Sequence, residues 1–249
     1  MNKKRLLTVL GGSGWTPIKL GTNLKLWLDL SDITTLFQDA ARTTPITAND
    51  DPIGGVADKS GLGNHASSSL TARPLYKTNI QNGLGVARFD ATDDNLSLGA
   101  MAIDSGGYTA IFVHSGPAAK VNDTSYLMDS KLGRIIFADR GGSGTSPFTE
   151  IEWFDGTWHN IAEGIEGWQL NVFDLIEGGN GTIYRNGISL GSAPYTAKAF
   201  GTETKIGTRY DGTKPFFSGD IGEVIICQPP LSVSNRNLVT KYINSKWGI

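Results

Sequence analysis

The sequence predicts an all-β fold, a two-sheet antiparallel sandwich with one short C-terminal helix and an N-terminal arm. Three observations carry that prediction. The 249 residues include 32 glycines, about twice the usual share of roughly 7%. With no collagen-like period, that excess calls for many tight turns and so for many short strands. Period-two alternation of apolar and polar residues recurs along the chain. Helical periodicity appears at the end, in "LSVSNRNLVTKYINSKWGI".

The opening "MNKKRLLTVLGGSGW" sets Lys3, Lys4 and Arg5 before a five-residue apolar run that Gly11 and Gly12 interrupt. An export leader needs about 7–15 apolar residues there. Residues 1–20 therefore read as an arm, and 21–249 as one domain. In "NLKLWLDL" the residues Leu24, Leu26, Leu28 and Leu30 fall on one strand face, with Lys25, Trp27 and Asp29 on the other. The segment "DKSGLGNHA", Asp58 to Ala66, holds an acid, a hydroxyl, a histidine and a Gly-x-Gly. A phosphate loop would need a following helix and a Walker lysine, whereas "SSSLTARPLY" comes next, with Pro74 and no helical period. Gly61 and Gly63 instead allow positive φ, and Asp58 and Asn64 can bond the turn's own backbone. This is a structural connection.

Further strands follow in "GVARFDA", "YTAIFVH", "GRIIFADR", "TEIEWFD", "WQLNVFDL", "GTIYRNG" and "GDIGEVIICQ". Val224, Ile225 and Ile226 are apolar on both faces, as a central strand should be. Asn186-Gly187 suits a two-residue type I′ hairpin. The helix spans about 232–247: Ser232 can cap it, although Asn235 stands where a capping box has Glu or Gln. Leu238 and Tyr242 share one helical face, with Val239 and Ile243 beside it. Lys241 and Lys246 suit the carbonyl end, and Gly248 can terminate the helix.

Composition removes several function classes. A net charge of −2 argues against a generic nucleic-acid binder. At 39% apolar content the chain is neither disordered nor membranous, and no stretch approaches the roughly 18 apolar residues of a membrane span. The single cysteine, Cys227 in "VIICQ", precludes an intrachain disulfide and reads as a buried core thiol.

Five segments occur in one order: "LKLWLDLSD", "ADKSGLGNHA", "VARFDATDDNLSL", "YRNG" and "FSGDIGEVIICQPPLSVSNRNLVTKYINSKWGI". Together they resemble the concanavalin A-like, laminin-G-like jelly-roll domain of bacterial surface proteins and bacteriophage structural proteins. The likeness runs from Leu24 to Ile249. It implies a two-sheet jelly roll and, in most members, a non-catalytic carbohydrate- or surface-binding role. The opening "GWTPIKLGTNLKLWLD" also resembles phage virion proteins in which a basic-apolar arm precedes this domain. The expectation is a non-enzymatic virion protein, as head decoration, tail or fibre. Its arm would meet other virion proteins, its sandwich would present to host-surface glycans, and it would be homo-oligomeric or multi-copy. The alternatives are a glucan hydrolase on the same fold, an architectural subunit without a ligand, or a bacterial surface adhesin.

Four sets of residues are candidates for chemistry. The jelly roll also hosts glycoside hydrolases whose catalytic strand resembles Glu-x-Asp-x-Glu, because alternate residues share a strand face. In "TEIEWFD", Glu150 and Glu152 share a face, but the third position is Phe154 and Asp155 has slipped to the other side. A one-residue bulge would restore it; without one the segment is a solvated strand face. Asp90, Asp93 and Asp94 are candidates for calcium, or for a turn whose carboxylates accept backbone N–H groups. His65, His114 and His159 form no metal-spaced cluster; His159 reads as packing or as lining a ligand surface. Sugar binding needs an aromatic face beside polar groups. Trp153, Trp158, Trp168 and Tyr210 are available, and Trp158, Tyr210 and Asp211 are the expected glycan-binding residues.

Overall fold

The computed structural model describes residues 14–116, 124–131, 135–141, 149–163 and 167–249. Its strands are β1 Leu24–Asp29, β2 Leu36–Phe37, β3 Gly55–Val56, β4 Ala66–Ser67, β5 Leu75–Gln81 and β6 Leu84–Asp90. They continue with β7 Leu96–Leu98, β8 Tyr108–Gly116, β9 Thr124–Ser130, β10 Ile135–Gly141, β11 Thr149–Phe154 and β12 Trp158–Glu163. The last are β13 Gly167–Leu175, β14 Asn180–Arg185, β15 Ile188–Pro194, β16 Thr204–Ile206 and β17 Ser218–Cys227, before the helix α1 Val233–Trp247. Two sheets result. The front sheet runs β12-β11-β10-β9-β16-β7-β4-β3-β2, and the back sheet β15-β14-β13-β8-β17-β6-β5 with β1 added on β17.

The inter-sheet core collects the alternate residues that the sequence pattern predicts, among them Leu26, Leu28, Phe112, Phe173, Val224 and Ile226 from the back sheet. Leu96, Leu98, Leu127, Ile151, Trp153 and Ile206 face them from the front. The back sheet is apolar on its outer face as well. Val86, Ile111, Val113, Leu170, Val172, Ile225 and Cys227 lie there beneath Val239, Ile243 and Trp247 of α1. That second burial explains why β8, β13 and β17 read as continuous apolar runs. It also makes Cys227 a core thiol, whose pKa burial pushes up to about 12.

Two details depart from the strand and helix pattern. Leu24 does not share a face with Leu26: the β1–β17 register slips between them, so Leu24 packs in the outer cluster with Trp27. A bulge moves one side chain across the sheet, which alternation alone cannot show. On α1 the fully buried line is Val239, Ile243 and Trp247, while Leu238 is 41% exposed. Within the expected arm, Trp15 packs edge-on against Tyr242 and Leu20 is buried in the outer cluster. Residues 1–13 of that arm lie outside the described residues.

The expected turns form. Asn186 and Gly187 have φ of 50° and 85°, the paired positive values of a type I′ turn, between the partners Arg185 and Ile188. Asp58 accepts N–H bonds from Trp27, Ser60 and Asn64, and its own N–H donates to His65 Nδ1 at 3.0 Å. The "DKSGLGNHA" loop is thus a brace under β1.

A buried charge fastens the helix to the sheet. Glu223 on β17 has no exposed surface. Its Oε1 accepts Trp27 Nε1–H at 2.7 Å and the Tyr242 hydroxyl at 3.1 Å, and its Oε2 accepts Lys246 Nζ and Trp247 Nε1–H, each at 2.9 Å. Lys246 also reaches Asp29 at 2.6 Å, and Lys59 bridges Asp29 and Asp32. Burial pushes the Glu223 carboxyl up and Lys246 pulls it back. Burial would likewise raise Asp29, but Lys246 and Lys59 outweigh it and hold that carboxyl below its ordinary value. Gly222 completes the fit, because a Cβ there would stand 2.4 Å from the Trp247 ring. Ser232 Oγ accepts Asn235 N–H at the helix start, and Gly248, at φ 70°, closes its end.

Removing one member of such a network strands the others. Glu223→Ala should cost about 3–5 kcal/mol in urea unfolding, since two indole N–H groups lose their acceptor and the Lys246 ammonium loses one of its two carboxylate partners. A loss under about 1 kcal/mol would show that the latch contributes little.

Candidate functional site

The outer face of the front sheet carries polar residues where the back sheet carries α1. Strand alternation puts them there. Ser97 lies between the core residues Leu96 and Leu98, and Lys205 between the buried Thr204 and Ile206. Direct pairing then extends one row across the sheet: Ser67, Ser97, Lys205, Asp129 and, beyond the backbone of β10, Phe154 and Trp158. Residues directly opposite in antiparallel strands point to the same face.

At the β7–β16 end of this row lies a pocket of about 300 Å³, lined by Ser97, Thr202, Glu203, Lys205, Tyr210 and Asp211 among others. The loop after β16 supplies its roof, and local hydrogen bonds hold that loop. Gly212 N–H donates to Arg209 O at 2.9 Å, Thr213 donates to Asp211 Oδ1 through its N–H and hydroxyl, and Tyr210 N–H donates to Asp129 Oδ2 at 3.2 Å. Arg209 pairs with Asp211 at 3.3 Å. Lys131 pairs with Glu203 at 2.9 Å and lies 5.9 Å from the Tyr210 ring centroid. Thr213, ahead of the neighbouring Arg209, holds Asp211 below the ordinary carboxylate value. Burial pushes the Lys205 ammonium down, with Glu203 and Asp211 pulling it back up. A half-buried aromatic ring beside fixed charges and hydroxyls is the equipment a sugar site uses.

The expected glycan residues divide into two places. Tyr210 and Asp211 line this pocket together. Trp158 stands on the same sheet face but four strand spacings from Lys205, about 19 Å away, where it packs against Phe154 and Tyr126. Trp153 is buried in the core, stacked on His159, and Trp168 stacks on Trp247 on the back-sheet side. Sequence reasoning missed Ser97, Glu203 and Lys205. Alternation in "TKI" marks Lys205 as outward-facing, but nothing local shows that β7 and the loop after β16 enclose it.

The hydrolase constellation does not assemble among the described residues. Phe154 occupies the position where a third carboxylate would stand, opposite Trp158. The register shift between β11 and β12 puts its extra residue on β12 and does not return Asp155 to that face; Asp155 is buried, accepting Thr196 N–H at 2.7 Å and lying 3.0 Å from His159 Nε2. Glu152 is buried opposite Asn160. The Glu150 side chain lies outside the described residues. His159 serves packing, and His114 is fully buried, its pKa driven down to about 3 by burial and Arg185.

Asp90, Asp93 and Asp94 bring carboxylate oxygens within 4.8 Å of one another. They could give three of the roughly 6–8 oxygens calcium takes. Two are already engaged, however: Asp90 Oδ1 accepts Thr92 N–H at 2.7 Å, and Asp94 Oδ2 accepts Asp90 N–H at 2.9 Å. That is the turn arrangement. Burial, then Asp90, raises the Asp94 carboxyl to about 7.

No model of a known protein family matches the chain, and no curated protein sequence matches it. Solved structures do. The binding domain of Paraclostridial Mosquitocidal Protein 1 aligns with TM-score 0.59 and 13% identity, over 91% of this chain and 53% of that one. The botulinum neurotoxin serotype D binding domain aligns with TM-score 0.57 and 12% identity, over 88% and 51%. A GH54 α-L-arabinofuranosidase aligns with TM-score 0.56 and 14% identity, over 79% and 51%. The chain spans about half the length of each of these. At such identities the likeness is one of fold, and it is compatible with the lectin-like jelly roll the sequence resembles.

A raised Asp94 gives a pH dependence of definite sign. Between 3.8 and about 7 the unfolded chain loses the proton that the folded Asp94 keeps, so stability falls as pH rises through that window. Asp94→Asn should flatten this slope and melt above the parent near neutral pH. An unchanged slope of melting temperature against pH would refute the assignment.

Proposed function

We propose that this chain is a non-catalytic, glycan-binding β-sandwich that works as a structural component of a bacteriophage particle, presenting its front sheet to host-surface carbohydrate. The observation that carries the binding half is the Tyr210 pocket, lined on an outward sheet face by an aromatic ring, by Ser97 and Thr202, and by three charged side chains. The virion half is supported by the opening "GWTPIKLGTNLKLWLD", which resembles phage virion proteins, and by the five ordered segments from Leu24 to Ile249, which resemble a jelly-roll domain of bacterial surface and bacteriophage structural proteins. Absence of catalysis is supported by Phe154 standing where the third carboxylate belongs, and by the structural engagement of Asp155.

Affinity electrophoresis through gels containing neutral and acidic cell-surface polysaccharides tests the reading. At least one polymer should retard the protein, and Tyr210→Ala should weaken that binding roughly 10-fold, the equivalent of about 1.4 kcal/mol. Incubation with β-glucan should release no reducing ends. If no polymer in the panel binds, the chain is an architectural subunit and the glycan half falls. If the chain is missing from density-banded phage particles, the virion half falls.

A further inference from the structure

The pocket's charges are not equally matched. Glu203 is engaged by Lys131 at 2.9 Å, and Asp211 by Arg209 at 3.3 Å. Each of the two carboxylates lining the pocket therefore has its own cation. Lys205 differs. Its ammonium donates to Ser97 Oγ at 2.8 Å and to Asn95 Oδ1 at 3.2 Å, both neutral oxygens, and it forms no ion pair among the described residues. An ammonium has three N–H donors, so one remains after these two bonds.

The stem of Lys205 is held as well. It passes under the Arg209–Gly212 turn, with Nζ 3.8 Å from where a Cβ on Gly212 would stand. The side chain is half-buried against pocket-lining residues, so little conformational entropy remains to be lost when an anion arrives. Asp129 is its cross-strand partner, but the Asp129 Oδ2 atom is turned to the Tyr210 N–H.

We infer that this pocket selects an acidic sugar, with the Lys205 ammonium receiving the sugar's anionic group beside Tyr210. The inference rests on the glycan-binding reading and names the ligand class for it. A fixed, half-desolvated ammonium with a spare donor forms a charge-assisted hydrogen bond that a neutral sugar hydroxyl cannot match. An ammonium is a point charge and accepts carboxylate or sulfate alike, so the source of the anion is left to the measurement.

Three polymers serve as probes: polygalacturonic acid for carboxylate, κ-carrageenan for sulfate, and neutral galactan. Dissociation constants are measured by calorimetry for the full chain and for Lys205→Met, which keeps the apolar stem and removes the charge. One acidic polymer should bind at least tenfold tighter than galactan, and which one identifies the anion. Lys205→Met should weaken that binding roughly 10- to 100-fold and erase the acidic polymer's advantage over galactan, while Lys205→Arg should restore most of it. Should Lys205→Met fail to fold, carboxyl-reduced polygalacturonic acid or desulfated carrageenan with the parent chain gives the same comparison. Equal binding of acidic and neutral polymers, or an acid preference that survives Lys205→Met, overturns the inference and leaves glycan binding standing. If none of the three polymers binds, the acidic-sugar inference falls with them, and the wider panel decides the glycan reading separately.

Discussion

The carboxylate of Glu223 is the constraint from which the arrangement of layers follows. It sits on an interior strand of the back sheet, shut away from water, with four donors around it. One comes from β1 and three from α1, so the charge is tolerable inside the protein when both elements are docked. Conversely, α1 has a thin apolar stripe of Val239, Ile243 and Trp247 and gains its orientation from the indole, phenol and ammonium that reach Glu223. The back sheet is buried on both sides as a result. That leaves the front sheet's outer face as the broad surface where side chains on alternate strand positions face away from the core.

The candidate site exploits that surface through long-range assembly. Its charges come from β16 and the segments on either side of it, its hydroxyls partly from β7, and a supporting lysine from just beyond β9. Arg209 through Thr213 are restrained by bonds to their own turn or to the sheet, which favours a pocket shape set before any ligand arrives. Lys205 is the least compensated charge in this group, and it is also the one most embedded in the sheet.

Most of the fold was legible because it depends on local periodicity. Alternation in "GDIGEVIICQ", the Asn186-Gly187 pair and the Ser232-to-Gly248 helix each carry their own structural instruction. The departures arise where a residue's position depends on a distant partner. Leu24 changed faces because β1 bulges against β17, and α1 sets Val239, Ile243 and Trp247 against the sheet in place of Leu238, with Trp247, its last residue, over Gly222. The site was half legible for the same reason. Tyr210 and Asp211 stand in a visibly polar loop, whereas Lys205 gains meaning from Ser97, more than a hundred residues earlier in the chain. Trp158, named beside Tyr210 from the sequence, stands at the far end of the same sheet face, since sequence alone does not report how many strands intervene.

The packing of Trp15 on Tyr242 has a directional consequence. Trp15 and the last helical turn lie together on the covered side of the back sheet, while the pocket opens from the opposite side of the sandwich. A surface, carrier or fusion partner joined near either of these points would hold the molecule by its rear and leave the recognition face turned outward. The sandwich thereby has a front and a back, and many copies immobilised through either point would all look the same way.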